Sequence, residues 1–356
     1  MNSGEFGGVR ADPKIHAADD FISRMLTHAS RSANGRTKAA FGPATVKIDI
    51  CGTVLASLAL DPLRHAAIGA GEPTDFLLVM VDGKETGIDS PALDRFAALH
   101  SGREHRADKS PRRSMLMVNE EWNTRCLIDE NRRHALVWFG DAARIPEWVV
   151  YDQIRNVLHW LSYESNFGLF HAAALRFEGV GCLIAGKSGS GKSTITAAAI
   201  AHGFETAGDD FVLVESSSVP VVHAIFDTIK LDERSLARFP QFRPFIRNQT
   251  RRANDKAIVH LFDAGRERIA SGFPLHVILR AQLTGKRGSR IVRSQPADAF
   301  RALAPSSLLL LRAQGKQVSA NCATLVGRLG TYVFEIGTDV DDAVAELAGF
   351  MHKVKQ

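Results

Sequence analysis

The period of the apolar positions changes along the chain. In residues 44–60 the alternation of Val46, Ile48 and Ile50 predicts a strand. The run Phe76-Leu77-Leu78-Val79-Met80-Val81, entering Asp82-Gly83, predicts another that ends in a tight turn. Residues 114–118, 125–128 and 135–139 add strand-like runs, and a charged, mobile loop is expected around 101–113. At 146–165 the period becomes helical, through Val149, Val150, Ile154, Val157, Leu158 and Leu161, with Pro146 suited to a first turn. Two short apolar runs, 175–177 and 182–185, then flank Glu178-Gly179-Val180-Gly181, which predicts a hairpin whose second strand runs into a glycine-rich segment. A helix over 193–201 follows, ended by Gly203, and then a strand over 211–214. Residues 296–303 and 306–311 have helical content, 332–336 that of a strand, and 339–351 that of a helix with Thr338 as N-cap.

The pattern divides the chain into a loosely ordered lead-in over 1–42 with a short helix near 17–27, a β-rich domain over 43–145, a linking helix over 146–165 and an α/β domain over 166–356. With 356 residues and 45% apolar content, a packed core is expected. No apolar stretch approaches the roughly 20 residues of a membrane span. Arg10, Asp12, Lys14 and Asp19 interrupt any signal-peptide pattern, so a cytoplasmic protein without a membrane partner is expected. Cys51, Cys126, Cys182 and Cys322 are scattered, which argues against a zinc site or a disulfide framework. A net charge of +5 without a basic tract interleaved with aromatics does not call for nucleic acid.

The chemistry is concentrated in Gly186-Lys187-Ser188-Gly189-Ser190-Gly191-Lys192-Ser193, followed by Thr194. Glycines at this spacing let successive N–H groups face phosphate oxygens, and the helix that follows presents its positive end. Lys192 then supplies charge to the terminal phosphates, and Ser193 a hydroxyl to Mg2+. The expected ligands are ATP, or another nucleoside triphosphate, and Mg2+. About seventeen residues beyond Lys192, Asp209 and Asp210 precede the next strand. By themselves they would read as a solvated turn. Beside a phosphate loop, one carboxylate can hold the metal while its neighbour accepts a hydroxyl proton.

The segment from Phe170 to Glu215 resembles the bacterial HPr serine kinase family in the order and spacing of a histidine, a hairpin, a phosphate loop, its helix and an acidic pair. The resemblance implies a P-loop kinase core with a smaller β-rich N-terminal domain, a serine kinase activity, and active-site roles for His171, Lys192, Asp209 and Asp210. It departs from the family at Ala172, where His-Gly is usual, and at Lys187 and Thr194, where acidic residues are usual. The front half, and the tail with Ala302-Leu303-Ala304-Pro305-Ser306-Ser307 and Phe334-Glu335-Ile336-Gly337-Thr338, resemble HPr-kinase-related proteins of peptide-modification clusters. These include lasso-peptide kinases that phosphorylate a C-terminal serine of a precursor peptide. A peptide partner is therefore expected, and a homo-oligomer stays open. The same residues would also serve a small-molecule kinase or a regulatory ATPase. Arg243, Arg247, Arg251, Arg252 and Lys256 form a charged stretch that either closes on phosphate or an acidic peptide, or stays solvated. Lys230 and Arg280, near apolar runs, stand outside the predicted site.

Overall fold

The computed structural model describes residues 13–89, 114–129, 133–162, 166–252, 255–310 and 315–356. The charged loop expected at 101–113 and the first twelve residues lie outside these. The chain forms two compact units, one of residues 1–37, 47–57 and 75–145, the other of 38–46, 58–74 and 146–356. The helix Glu147–Leu161, expected as a linker, is part of the second.

A six-stranded sheet runs in the order β1-β2-β3-β6-β5-β4, with β1 Gly35–Phe41, β2 Ala44–Cys51, β3 Phe76–Asp82, β4 Ser114–Asn119, β5 Thr124–Asp129 and β6 His134–Phe139. Within the first unit the helix Pro13–Ser32 sets Ile22, Met25 and Ala29 against Val79, Val81, Leu127 and Leu136. Much of the stretch read as loosely ordered is thus helical. The spacing of 22, 25 and 29 forms a narrow apolar stripe that becomes stable only when a sheet covers it. The strand expected over 44–60 stops at Cys51, and Thr53–Leu60 is helical. Gly52 makes the break at φ 124°, where a Cβ would lie 2.7 Å from that of Asp82.

The second unit is built on a sheet ordered β10-β8-β9-β16-β18-β17: β8 Ala172–Phe177, β9 Val180–Ala185, β10 Glu205–Gly208, β16 Val277–Leu283, β17 Arg290–Arg293 and β18 Gly330–Ile336. A second sheet, β15-β12-β11-β7, joins β7 Phe167–Phe170, β11 Val212–Glu215, β12 Val221–His223 and β15 Gly272–Pro274. A two-stranded ladder pairs β13 Thr228–Leu231 with β14 Ala257–His260. Both faces of the central sheet are covered, so β8 and β9 read as continuous apolar runs. Cys182 and Ile184 enter one core with Ile195, Phe334, Leu347 and Met351. Leu183 and Ala185 enter the other with Phe170, Val212, Leu303, Cys322 and Leu325.

Three end-of-chain expectations change. Residues 296–311 were read as two helical pieces, but Pro296–Leu310 is one helix through Pro305. Its Ser307 hydroxyl donates to the Leu303 carbonyl at 2.9 Å, and Leu303, Ala304 and Ser307 hold the face buried. The helix Gly315–Arg328 went unread because its stripe of Val318, Cys322 and Leu325 sits in a polar sequence. The last helix, Val340–Lys355, is capped by Asp339 rather than Thr338, its carboxylate accepting the N–H groups of Asp341 and Asp342 at 3.1 and 3.2 Å. Four thiols, Cys51, Cys126, Cys182 and Cys322, are buried and unpaired. Among the described residues, no helix is long and apolar enough to cross a membrane.

Phe334, fully buried in β18, measures this core. Phe334→Ala should cost about 3–5 kcal/mol and Asp339→Ala about 1 kcal/mol, read as urea-midpoint shifts. Equal shifts would mean that the last helix is not held by that core.

Candidate active site

Strand direction brings distant residues to one edge. β8 and β9 are antiparallel with Ala172 opposite Ala185, so the residue before β8, His171, lies beside the loop that leaves β9. β10 is antiparallel to β8 with Gly208 opposite Ala174, so Asp209 leaves the sheet at the same edge. The hairpin turn Glu178-Gly179, at φ 48° and 86°, has the two positive φ values that a two-residue hairpin needs.

The loop runs from Gly186 to Gly191 and the helix Lys192–Ala201 starts without a side-chain cap, which leaves its first N–H groups available. Gly189 and Gly191 hold φ of 76° and 94°. A Cβ on Gly191 would also come within 3.1 Å of Leu283, so only glycine fits there. Lys192 folds back, donating to the carbonyl oxygens of Gly186 at 2.7 Å and Lys187 at 3.3 Å. Burial lowers its pKa, while Asp210 acts in the opposite sense. The Ser190 hydroxyl is buried without a hydrogen-bond partner. Lys187 contributes its carbonyl, but its side chain is exposed. Thr194 lines the cavity, yet its hydroxyl is bonded to that of Ser235 at 2.9 Å.

The carboxylates next in the chain have different surroundings. Asp209 is buried and accepts the Lys230 N–H at 3.0 Å. Burial, aided by the charge of Asp210, pushes its pKa up to about 6. Asp210 accepts from His171 Nε2 at 3.1 Å and from Lys230 Nζ at 2.7 Å. Burial would raise its pKa, but Lys230 and His171 hold it well below the usual carboxylate range. The His171 ring lies 5.2 Å from that of Phe211, whose face the Arg155 guanidinium covers at 4.2 Å.

These groups line a cavity of about 670 Å3 together with Lys230, Arg234, Arg238, Lys256, Leu283, Ile336 and Val340. Lys230 was legible as a lysine inside an apolar run, but only the ladder with β14 aims it at Asp210. Arg234 and Arg238 gave no signal. Arg280 is not among the lining residues. Of the charged stretch, only Lys256 reaches the cavity. Arg243 and Arg251 pair with Glu233, and Arg247 with Asp61 and Asp263. Ser193 and Asp209, which both line the cavity, offer the hard oxygens that Mg2+ takes. Among the described residues no three His, Cys, Asp or Glu gather into a metal cluster, so phosphate or water would complete the shell.

Because Asp209 binds its proton more tightly folded than unfolded, it reduces stability as pH rises from about 4 to 6, by about 3 kcal/mol. Asp209→Asn should therefore raise the melting temperature of metal-free protein at pH 7 and leave it nearly unchanged at pH 4. A constant difference across that range would show that burial does not hold the proton.

No family model matches the chain, and no curated protein matches it. Among solved structures, the HPr(Ser) kinase/phosphatase from Coxiella burnetii aligns with 52% of this chain and 97% of its own, at 13% identity and a TM-score of 0.31. A likeness that low carries no weight beside the topology and the geometry of the site.

Proposed function

We propose that this chain is a phosphotransferase that moves the terminal phosphoryl group of ATP to a serine hydroxyl on a peptide. The observation that carries this is the convergence, around one cavity, of the glycine loop and Lys192 with Ser193, Asp209, Asp210 and His171. Those residues divide between holding a triphosphate and handling a proton. The peptide acceptor, the preference for ATP and the lasso-peptide setting are supported by the sequence resemblance alone.

In the reaction the bond between the β,γ-bridging oxygen and the γ-phosphorus breaks, a new bond forms from phosphorus to the serine oxygen, and ADP leaves. Loop N–H groups bind the phosphates, and Lys192 exchanges its carbonyl partners for phosphate oxygens. Ser193 and Asp209 would hold Mg2+, which when bound offsets charge on the phosphates. Asp210, 30% exposed where Asp209 is buried, takes the hydroxyl proton. His171 and Lys230 keep its carboxylate aimed.

Lys192→Ala should reduce transfer at least about 1000-fold and weaken nucleotide binding. Asp210→Asn should reduce transfer about 100-fold or more with nucleotide affinity within about threefold. Intact-mass analysis of candidate peptides incubated with ATP and Mg2+ reads the result as a gain of roughly 80 Da, one phosphoryl group. Normal turnover in Lys192→Ala would remove the loop from the mechanism. ATP binding without any peptide gain would move the acceptor to a metabolite.

A further inference from the structure

The cavity lining holds more cation than its carboxylates neutralise, with Lys192, Lys230, Arg234, Arg238 and Lys256 against Asp209, Asp210 and Asp232. Arg234 and Arg238 stand four residues apart on the helix Glu233–Arg238 and so share a face, and Lys256 lines the same cavity. All three are exposed. Among the described residues, none of the three side chains forms an ion pair or a hydrogen bond. The adjacent carboxylate, Asp232, is engaged in capping that helix, accepting the Ser235 N–H at 2.8 Å. Asp210 is taken by Lys230 and His171. The neighbouring arginines outside the cavity each have a carboxylate partner: Arg243 and Arg251 share Glu233, Arg247 pairs with Asp61 and Asp263, and Arg64 with Asp263. Cations left unpaired in this basic region thus include the three that face the cavity.

A triphosphate does not account for them, since the loop N–H groups and Lys192 already serve it. A nucleobase does not either. Leu283, 55% exposed, lines the same cavity with Ile336 and Val340 and suits an apolar ring. We infer that Arg234, Arg238 and Lys256 are specificity residues for the acceptor, and that the acceptor peptide presents a carboxylate close to the serine that receives phosphate. The inference rests on the phosphotransferase reading of this site. The carboxylate can belong to an acidic side chain or to a peptide C-terminus, and both are recognised by the same charge-assisted hydrogen bonds.

The test uses full-length protein and synthetic serine peptides in matched pairs: serine followed by Glu or by Gln, and terminal serine as free acid or as amide. Binding is measured by fluorescence with a non-hydrolysable ATP analogue and Mg2+, and transfer by intact mass with ATP. Wild type should favour the acidic member of at least one pair about tenfold, and the favoured pair identifies the carboxylate's source. Arg234→Ala with Arg238→Ala should reduce that preference to about twofold with nucleotide affinity unchanged. Arg243→Ala, outside the cavity, should keep it. Arg234→Glu with Arg238→Glu should turn the preference toward a Lys-containing peptide. A preference that persists in the double Ala variant, or a loss of nucleotide affinity there, overturns the inference. Transfer without acidic preference sinks it and spares the phosphotransferase reading. Acid-selective binding lost in the variant, without transfer, leaves the three cations as a carboxylate site but overturns the inference that what they select is the phosphoryl acceptor. Neither binding selectivity nor transfer ends both.

Discussion

Cross-strand register between β8 and β9 is the constraint on which the candidate site depends. Ala172 opposite Ala185 puts His171 beside Gly186, and the next pairing, Gly208 opposite Ala174, delivers Asp209 to the same edge. In a half-buried sheet, polar and apolar alternation would resist a slip of one residue. Here both faces are apolar, with Ala173 and Ile184 in one core and Ala174 and Leu183 in the other, so alternation gives weak protection. The turn does the specifying: two residues at positive φ leave no room for a looser connection. A hairpin turn at the far end of the sheet therefore sets the geometry at the phosphate loop.

The second determinant is how charge is held before any ligand arrives. Adjacent carboxylates in a buried site repel, and the protein resolves this by treating them differently. Asp209 accepts the Lys230 N–H, and burial with the neighbouring charge of Asp210 raises its pKa. Asp210 has Lys230 and His171 and stays ionised. Lys192 is meanwhile satisfied by carbonyls of its own loop. Each of these groups has a protein partner that a phosphate, a metal or a proton can replace, so binding need not begin from unpaired buried charge. Arg234, Arg238 and Lys256 differ, being exposed and without such partners.

Much of the site was legible because its signals are local. The spacing of Gly186, Gly191 and Lys192, the turn at Glu178-Gly179 and the stop at Gly203 each depend on dihedral preferences of consecutive residues. The helix Glu147–Leu161 and strand β3 were legible for the same reason, since a period of 3.6 or a continuous apolar run is written in neighbouring positions. The misreadings also share a cause. Thr53–Leu60 continues an apolar stretch, and only the break at Gly52 separates it from β2. Gly315–Arg328 carries a stripe too sparse to predict without the sheet that buries it, and in Pro13–Ser32 the local pattern gave only the short helix near 17–27.

By itself, then, the sequence determined the α/β character, the hairpin, the glycine loop and the candidate chemistry of Lys192, Ser193, Asp209 and Asp210. Tertiary structure alone decided which charges meet. Lys230 is bound to Asp210 across 20 residues, Arg247 to Asp263 across 16, and Arg64 to the same Asp263 across 199. It also left Arg234 and Arg238 facing the cavity while Arg243 and Arg251, from the same stretch of chain, pair with Glu233 outside it. The reason is physical. Backbone dihedrals respond to nearest neighbours, whereas a charged side chain pairs with whatever packing brings within a few ångströms, and no local pattern records that partner.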